Sequence, residues 1–291
     1  MRFPAKVAIA GVAMAAAIGF GAQDAHASEG DLEWRWRRLG AIDYAALGVV
    51  SSVALAEQLA PSAGPVRWRV GWAVDREVQR VVALGGVEER RFAARLSDVF
   101  MASLVLWSVS DAAVATWAHE APDVGLQLAS IAALSHSFNL AATGLVKRAS
   151  GRDRPIQTQC DADPRYDPSC DERRPPRSFL SGHTSTAFTG AALICQHHQR
   201  FALYGPGWDP LSCMAATTAA AMVGWQRVLA DKHYLTDVVA GAGLGIVSGA
   251  VLPELLVYAW DASPAAATSL RWLPAVSVTP DGTTLRWAQR W

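Results

Sequence analysis

Six long segments rich in alanine and leucine, at 42–59, 99–117, 124–146, 181–197, 211–227 and 236–260, alternate with polar, proline- and glycine-bearing connections. Apolar runs of this length exceed what strands use, so the alternation predicts an all-α fold, a helical bundle of about six core helices. A weaker helical period covers 75–84. The stretch 150–177 has the opposite character, crowded with proline, aspartate and arginine, and reads as an irregular connection whose length points to function. Beyond residue 271 the period changes around a Pro280-Asp281-Gly282 turn, which predicts a short C-terminal β-hairpin.

The first residues carry the three parts of a secretory signal: Arg2 and Lys6, an apolar run over 7–21, and small residues Ala25 and Ala27 around His26. The expected organisation is therefore a signal peptide at 1–27, a helical domain at 28–265 and a tail at 266–291, with the mature chain exported to the cell envelope, the periplasm. In that compartment the four cysteines are disulfide candidates. Cys160 and Cys170 share the polar loop, and Cys195 and Cys213 lie near facing ends of consecutive helices, so these are the expected pairs.

Of the apolar segments, 124–146 has the length of a membrane span without a formal charge, whereas Asp43, Glu57 and Asp111 interrupt or bound others. If the signal is cleaved and all six helices cross, Lys147 arrives on the cytoplasmic side after three crossings. That compartment would reduce Cys160 and Cys170. The sequence leaves two arrangements open, a soluble exported bundle and a membrane protein in which one early helix does not cross.

Lysine plus arginine equal aspartate plus glutamate at 26 each, so the chain has no global electrostatic footprint for nucleic acid. Any affinity for phosphate must be local, and three clusters supply it. Lys147 with Arg154, then Ser181-Gly182-His183, then Arg227 with His233 and Asp237 each fall at a predicted helix end. Two arginines can grip phosphoryl oxygens with planar forks while Lys147 acts as a point charge. The Ser181 hydroxyl and the amides near Gly182 add donors at the positive end of a helix dipole. Four residues separate His233 from Asp237, a spacing at which the carboxylate can accept from one ring nitrogen and leave the other as nucleophile. His183 then remains for proton transfer. This inventory asks for no metal and no other cofactor.

The segments KRASGRDRP from Lys147, SFLSGHTS from Ser178 and QRVLADKHYLTD from Gln226 resemble, in order, the three signatures of the phosphatidic acid phosphatase type 2 and vanadium haloperoxidase superfamily. The resemblance implies a helical fold with its site at one end and a metal-independent phosphatase acting through a phosphohistidine on His233. Asp237 would orient that residue, His183 would be acid and base, and Lys147, Arg154, Ser181, Gly182 and Arg227 would hold phosphoryl oxygens. A lipid phosphate such as phosphatidate or an isoprenoid pyrophosphate is the leading substrate class, with membrane association. A soluble broad-specificity acid phosphatase, a vanadium haloperoxidase and a non-catalytic envelope protein are the alternatives. Leu180 stands where the family usually has proline, and Gln226 where it usually has serine. The oligomeric state leaves no signal.

Outside the motifs, His136 on an apolar helix is expected to be a hydrogen-bonded core residue, and His197 with His198 a solvated turn. Asp111 is expected to be a buried, paired carboxylate or a support of the site. Arg173, Arg174 and Arg177 read as a basic loop beside Ser181.

Overall fold

The computed structural model describes residues 32–60, 65–172 and 175–260, together with the backbone of 275–279 and 282–286. The signal peptide expected at 1–27, and Arg173 and Arg174, lie outside the described residues. Eight α-helices occur among those described: α1 (Ala41–Leu59), α2 (Ala73–Val82), α3 (Val87–Ala113), α4 (Pro122–Ser150), α5 (Pro155–Ala162), α6 (Gly182–Arg200), α7 (Trp208–Leu229) and α8 (Leu235–Ile246). Wide π turns at Val114–Ala118 and Val247–Val251 carry α3 and α8 onwards, the latter to Tyr258.

The helix expected at 99–117 begins twelve residues earlier, at Val87. Its first turns, Val-Glu-Glu-Arg-Arg, show no apolar stripe, yet Glu88 and Glu89 suit the positive end of a helix. The connection expected to be irregular over 150–177 contains α5 and a 3₁₀ turn at Pro168–Asp171. Each starts on a proline that pre-sets the first helical φ, a signal that short length concealed. At the C-terminal side Ala275–Thr279 pairs antiparallel with Gly282–Arg286. The hairpin expected from the sequence finds no support as part of the fold, because the described domain is all-helical.

Helix α6 is the axis of the bundle. Every residue from Thr184 to His198 is buried, because α3, α4, α7 and α8 surround it. Its side chains are small and many carry hydroxyls, so the neighbours approach closely and the polar atoms find partners across the interfaces. Ser185 meets Thr143 of α4 at 3.1 Å, and Asn139 donates to Thr186 at 3.1 Å. On α8 and the π turn that continues it the facing stripe is Gly241, Gly245 and Gly249, where a β-carbon would fall within 2.4–2.6 Å of the Ser181, Ser185 and Thr189 carbonyl oxygens.

The two disulfides join Cys160 to Cys170 and Cys195 to Cys213, with Cα separations of 5.2 and 4.5 Å. His136 sits 3.1 Å from the Ser108 hydroxyl, in keeping with a core residue. His197 and His198, in contrast, are not a solvated turn. Both are buried on the last turns of α6, with His197 Nδ1 2.9 Å from Asp111 and His198 Nδ1 2.5 Å from Asp209. Asp111 also accepts from the Tyr204 hydroxyl at 3.1 Å, so it is a paired carboxylate inside the bundle. The polar run His-His-Gln-Arg hides this burial, since the carboxylates that satisfy it come from α3 and α7.

The glycine stripe yields a paired test. Gly245→Ala puts a methyl group 2.5 Å from the Ser185 oxygen and from Phe188 Cβ, whereas nothing lies within 4 Å of the position at Gly243. Gly245→Ala is expected to cost about 1–3 kcal/mol of stability, and Gly243→Ala to cost nothing or gain up to about 1 kcal/mol. Thermal unfolding of the two purified variants measures this, and equal midpoints would refute the packing role.

Candidate active site

Three connections converge at one end of the bundle, and backbone hydrogen bonds stitch them together. The C-terminal end of α4 leads through Gly151, in the left-handed region at φ 54°, into the Arg152–Pro155 turn. A side chain there would need to fit against the Pro65 carbonyl at 2.8 Å, so glycine suits this corner on both counts. Ser178 donates its amide to the Arg152 carbonyl at 2.8 Å, Ser181 to Asp237 at 2.9 Å, and Ile156 to Asp231 at 3.1 Å. The three motifs therefore share one framework despite lying up to ninety residues apart.

Within this framework Lys147 ends α4, with its ammonium lying over the first turn of α6; a β-carbon on Gly182 would sit 3.1 Å from Nζ. Ser181 is the N-cap of α6, and its hydroxyl oxygen accepts from the Thr184 hydroxyl at 2.8 Å. Arg154 precedes the first turn of α5, and Arg227 lies buried in the last turn of α7. His183 is partly buried, while His233 is almost wholly enclosed at 1% exposure.

Electrostatics follow from this crowding. Burial, and then the charges of Arg154, Lys147 and Arg227, hold the His233 imidazolium well below its ordinary range. His183 is lowered for the same reasons, by burial first and then by Arg227, His233, Lys147 and Arg154. Arg227 itself comes down to about 10 through burial and the nearby Arg154. Both histidines are consequently neutral at neutral pH among fixed positive charges, which suits a nucleophile and a proton carrier for an anionic substrate.

Asp237 is placed differently from the sequence expectation. Its Oδ2 lies 3.6 Å from His233 Nδ1, longer than a hydrogen bond. The reason is competition, since Oδ2 already accepts from the Ser178 hydroxyl at 2.6 Å and the Tyr234 amide at 2.9 Å, and Oδ1 from Arg152 at 2.5 Å. Its carboxylate orders the turn that bears His233.

Three contributors escaped sequence reasoning. Arg152, without exposed surface, donates to Asp237 and at 2.6 Å to Asp75, and is sandwiched by the rings of Trp68 and Tyr234 at 3.8 and 4.3 Å. Asp75, at the first turn of α2, accepts in addition from the Thr236 amide at 2.9 Å and hydroxyl at 2.8 Å. Asp98 of α3 lies 2.8 Å from His183 Nε2 and accepts from Arg227 at 3.2 Å. The first was in view as the sixth residue of KRASGRDRP, but the other two sit on helices distant in sequence. Leu180 and Gln226, the two departures from the usual pattern, are buried.

Residues 125–261 match the family model described as the PAP2 superfamily. Over 72 residues the chain is 35% identical to a protein named lipid A 1-phosphatase from Porphyromonas gingivalis, a stretch that covers 25% of this chain and 15% of that relative's length. No solved structure gives a significant match. The matched segment contains Lys147, Arg154, the Ser181-Gly182-His183 turn, Arg227, His233 and Asp237, and over it the chain is similar to the PAP2 superfamily.

Proposed function

We propose that this protein is a phosphatase of the cell envelope that hydrolyses phosphomonoester or pyrophosphate groups of lipids through a phosphohistidine on His233, without a metal in the chemical step. The observation that carries the reading is the convergence of Lys147, Arg154 and Arg227 on two neutral histidines at the first turn of α6. The family, and a relative named for a lipid phosphatase activity, support the same reaction class.

In the first step a ring nitrogen of His233 attacks phosphorus as the bond to the leaving oxygen breaks. The three cations and the amides of the α6 N-terminus stabilise the charge on the equatorial oxygens. His183 gives its proton to the departing alkoxide. In the second step His183 takes a proton from water, the resulting hydroxide attacks phosphorus, and the P–N bond breaks to release phosphate and free His233. A dianionic substrate offsets the surrounding cations, so its arrival raises the affinity of His183 for the proton it must donate.

A lipid rather than a soluble ester is favoured by the outer surface. Among the described residues four helical stretches, Ala41–Leu59, Val87–Ala118, Pro122–Ser150 and Leu235–Tyr258, are long and apolar enough to cross a membrane. Ile42, Val49 and Leu55 on α1, and Val99 and Leu106 on α3, project outward at 60% exposure or more, a surface suited to acyl chains. We place the site on the oxidising face, because the Cys160–Cys170 disulfide lies in the loop beside it. Since α1 runs alongside α4 in the same direction, with Tyr44 beside Ser130 and Glu57 beside Arg148, residues 32–40 occupy the opposite end.

In EDTA, the parent protein is expected to release phosphate from phosphatidate or an isoprenoid pyrophosphate, and His233→Ala to release none. His183→Ala is expected to lower kcat by about 10²–10⁴-fold. Equal turnover by parent and His233→Ala would eliminate the nucleophile. Because His233 must be unprotonated and its pKa is depressed, the acid limb of kcat/KM should fall below the ordinary imidazole value of about 6.5; a limb at or above that value argues against His233. After alkaline carbonate washing the protein should stay in the membrane pellet, and its recovery in the wash would favour a soluble acid phosphatase.

A further inference from the structure

A cavity of about 270 Å³ adjoins the residues already described. Arg90, Arg91 and Arg95 of α3 line one side, Asp167 and Ser169 of the disulfide-closed loop another, and Lys232 a third. Four cationic side chains thus face one carboxylate. Part of this wall is rigid. Arg90 is 2% exposed, donates to the carbonyls of Leu84, Gly85 and Tyr166, pairs with Asp167 at 3.0 Å and lies 4.2 Å from the Tyr166 ring centre. Arg91 pairs with Glu88 at 2.8 Å, but both side chains are at least half exposed, so a ligand competes with that pair readily. Small side chains at Ala94 and Ala230 leave the space open.

The cavity is contiguous with the site on two elements. Arg95 and Asp98 are three residues apart on one face of α3, about 4.5 Å along its axis, and Asp98 contacts both His183 and Arg227. Lys232 immediately precedes His233. The volume is below the roughly 300–1,000 Å³ that drug-sized ligands occupy, so it admits a charged headgroup but not an acyl chain.

We propose that this cavity is a second anion subsite, which selects substrates carrying another phosphate or carboxylate within a few bonds of the phosphate that reacts at His233. The inference rests on the phosphatase reading and adds a substrate class to it, an amphiphile with two anionic groups on one headgroup. Arg95, three residues from Asp98 on α3, supplies a charge on the side of the reacting centre, while the disulfide fixes the loop where the Ser169 hydroxyl donates to Asp167 at 2.8 Å.

The experiment compares an alkyl monophosphate with α,ω-alkanediol bisphosphates of increasing tether length, at low ionic strength, by phosphate release. At one tether length the bisphosphate should show kcat/KM about tenfold higher, the factor that one charge-assisted hydrogen bond supplies, beyond the statistical advantage of two reactive ends. Arg95→Ala should collapse that ratio and Arg95→Lys should retain it. A parent ratio at the statistical value for every tether, or an undiminished ratio in Arg95→Ala, would overturn the subsite while monophosphate turnover upholds the phosphatase. If neither ester is hydrolysed, the phosphatase reading fails and the subsite is decided by binding alone. The bisphosphate must then raise the Tm of the parent more than the monophosphate does, and not that of Arg95→Ala; the absence of that difference overturns it.

Discussion

The site depends on one buried cation. Arg152 has no contact with solvent, and its two terminal nitrogens are divided between Asp75 of α2 and Asp237 of α8 while Trp68 and Tyr234 cover its faces. A charge so placed is tolerated only because both carboxylates neutralise it, and each carboxylate is tolerated only because of Arg152. Losing one partner of such a group costs about 3–5 kcal/mol. The arrangement also has a geometric effect, because it ties α2, the turn after α4 and the start of α8 to one point. Asp237 then fixes Ser178 and Tyr234, and through them the two turns that present Ser181 and His233.

Much of this was legible in the sequence. The apolar segments found six of the eight helices and the weaker period at 75–84 found α2, because alanine- and leucine-rich runs bury a face wherever they pack. The groups proposed for the chemistry were read for another reason, from residue types at motif spacing, and the structure gathers Lys147, Ser181 and His233 at one end of the bundle. What stayed hidden depends on tertiary partners. Asp75 and Asp98 are ordinary first-turn and mid-helix carboxylates until α8 and α6 are set beside them. His197 and His198 resemble a wet helix end until Asp111 and Asp209 arrive from other helices. The start of α3 was missed because Glu88 to Arg91 serve the helix dipole and the cavity rather than the core.

Polarity in α6 would be a defect in an isolated helix, since serine and threonine favour caps and turns over helix interiors. Here it is what allows the centre of the bundle to be narrow. Thr189 returns its hydroxyl to the Ser185 carbonyl at 2.9 Å, and the glycine stripe of α8 lies directly on that surface. A bulkier, wholly apolar α6 would push α8 outward and carry Asp237 away from Arg152 and Ser178. The identity of residues in mid-bundle therefore controls the geometry at its end.

Chain direction explains why the charges gather where they do. Helices α4 and α7 end at the site, while α6 and α8 begin there, so two negative and two positive helix termini face one space. The negative termini carry the cations, with Lys147 in the last turn of α4 and Arg227 in the last turn of α7. The positive terminus of α6 brings free amides to the same point. Each cation is stabilised by its own helix, and Arg227 in addition pairs with Asp98 at 3.2 Å, so on the proposed reading an anion would complete the electrostatics of the bundle end rather than disturb it. On the proposed reading as a lipid phosphatase, the apolar flanks of α1 and α3 would hold the acyl chains, and only the headgroup would need to reach His233.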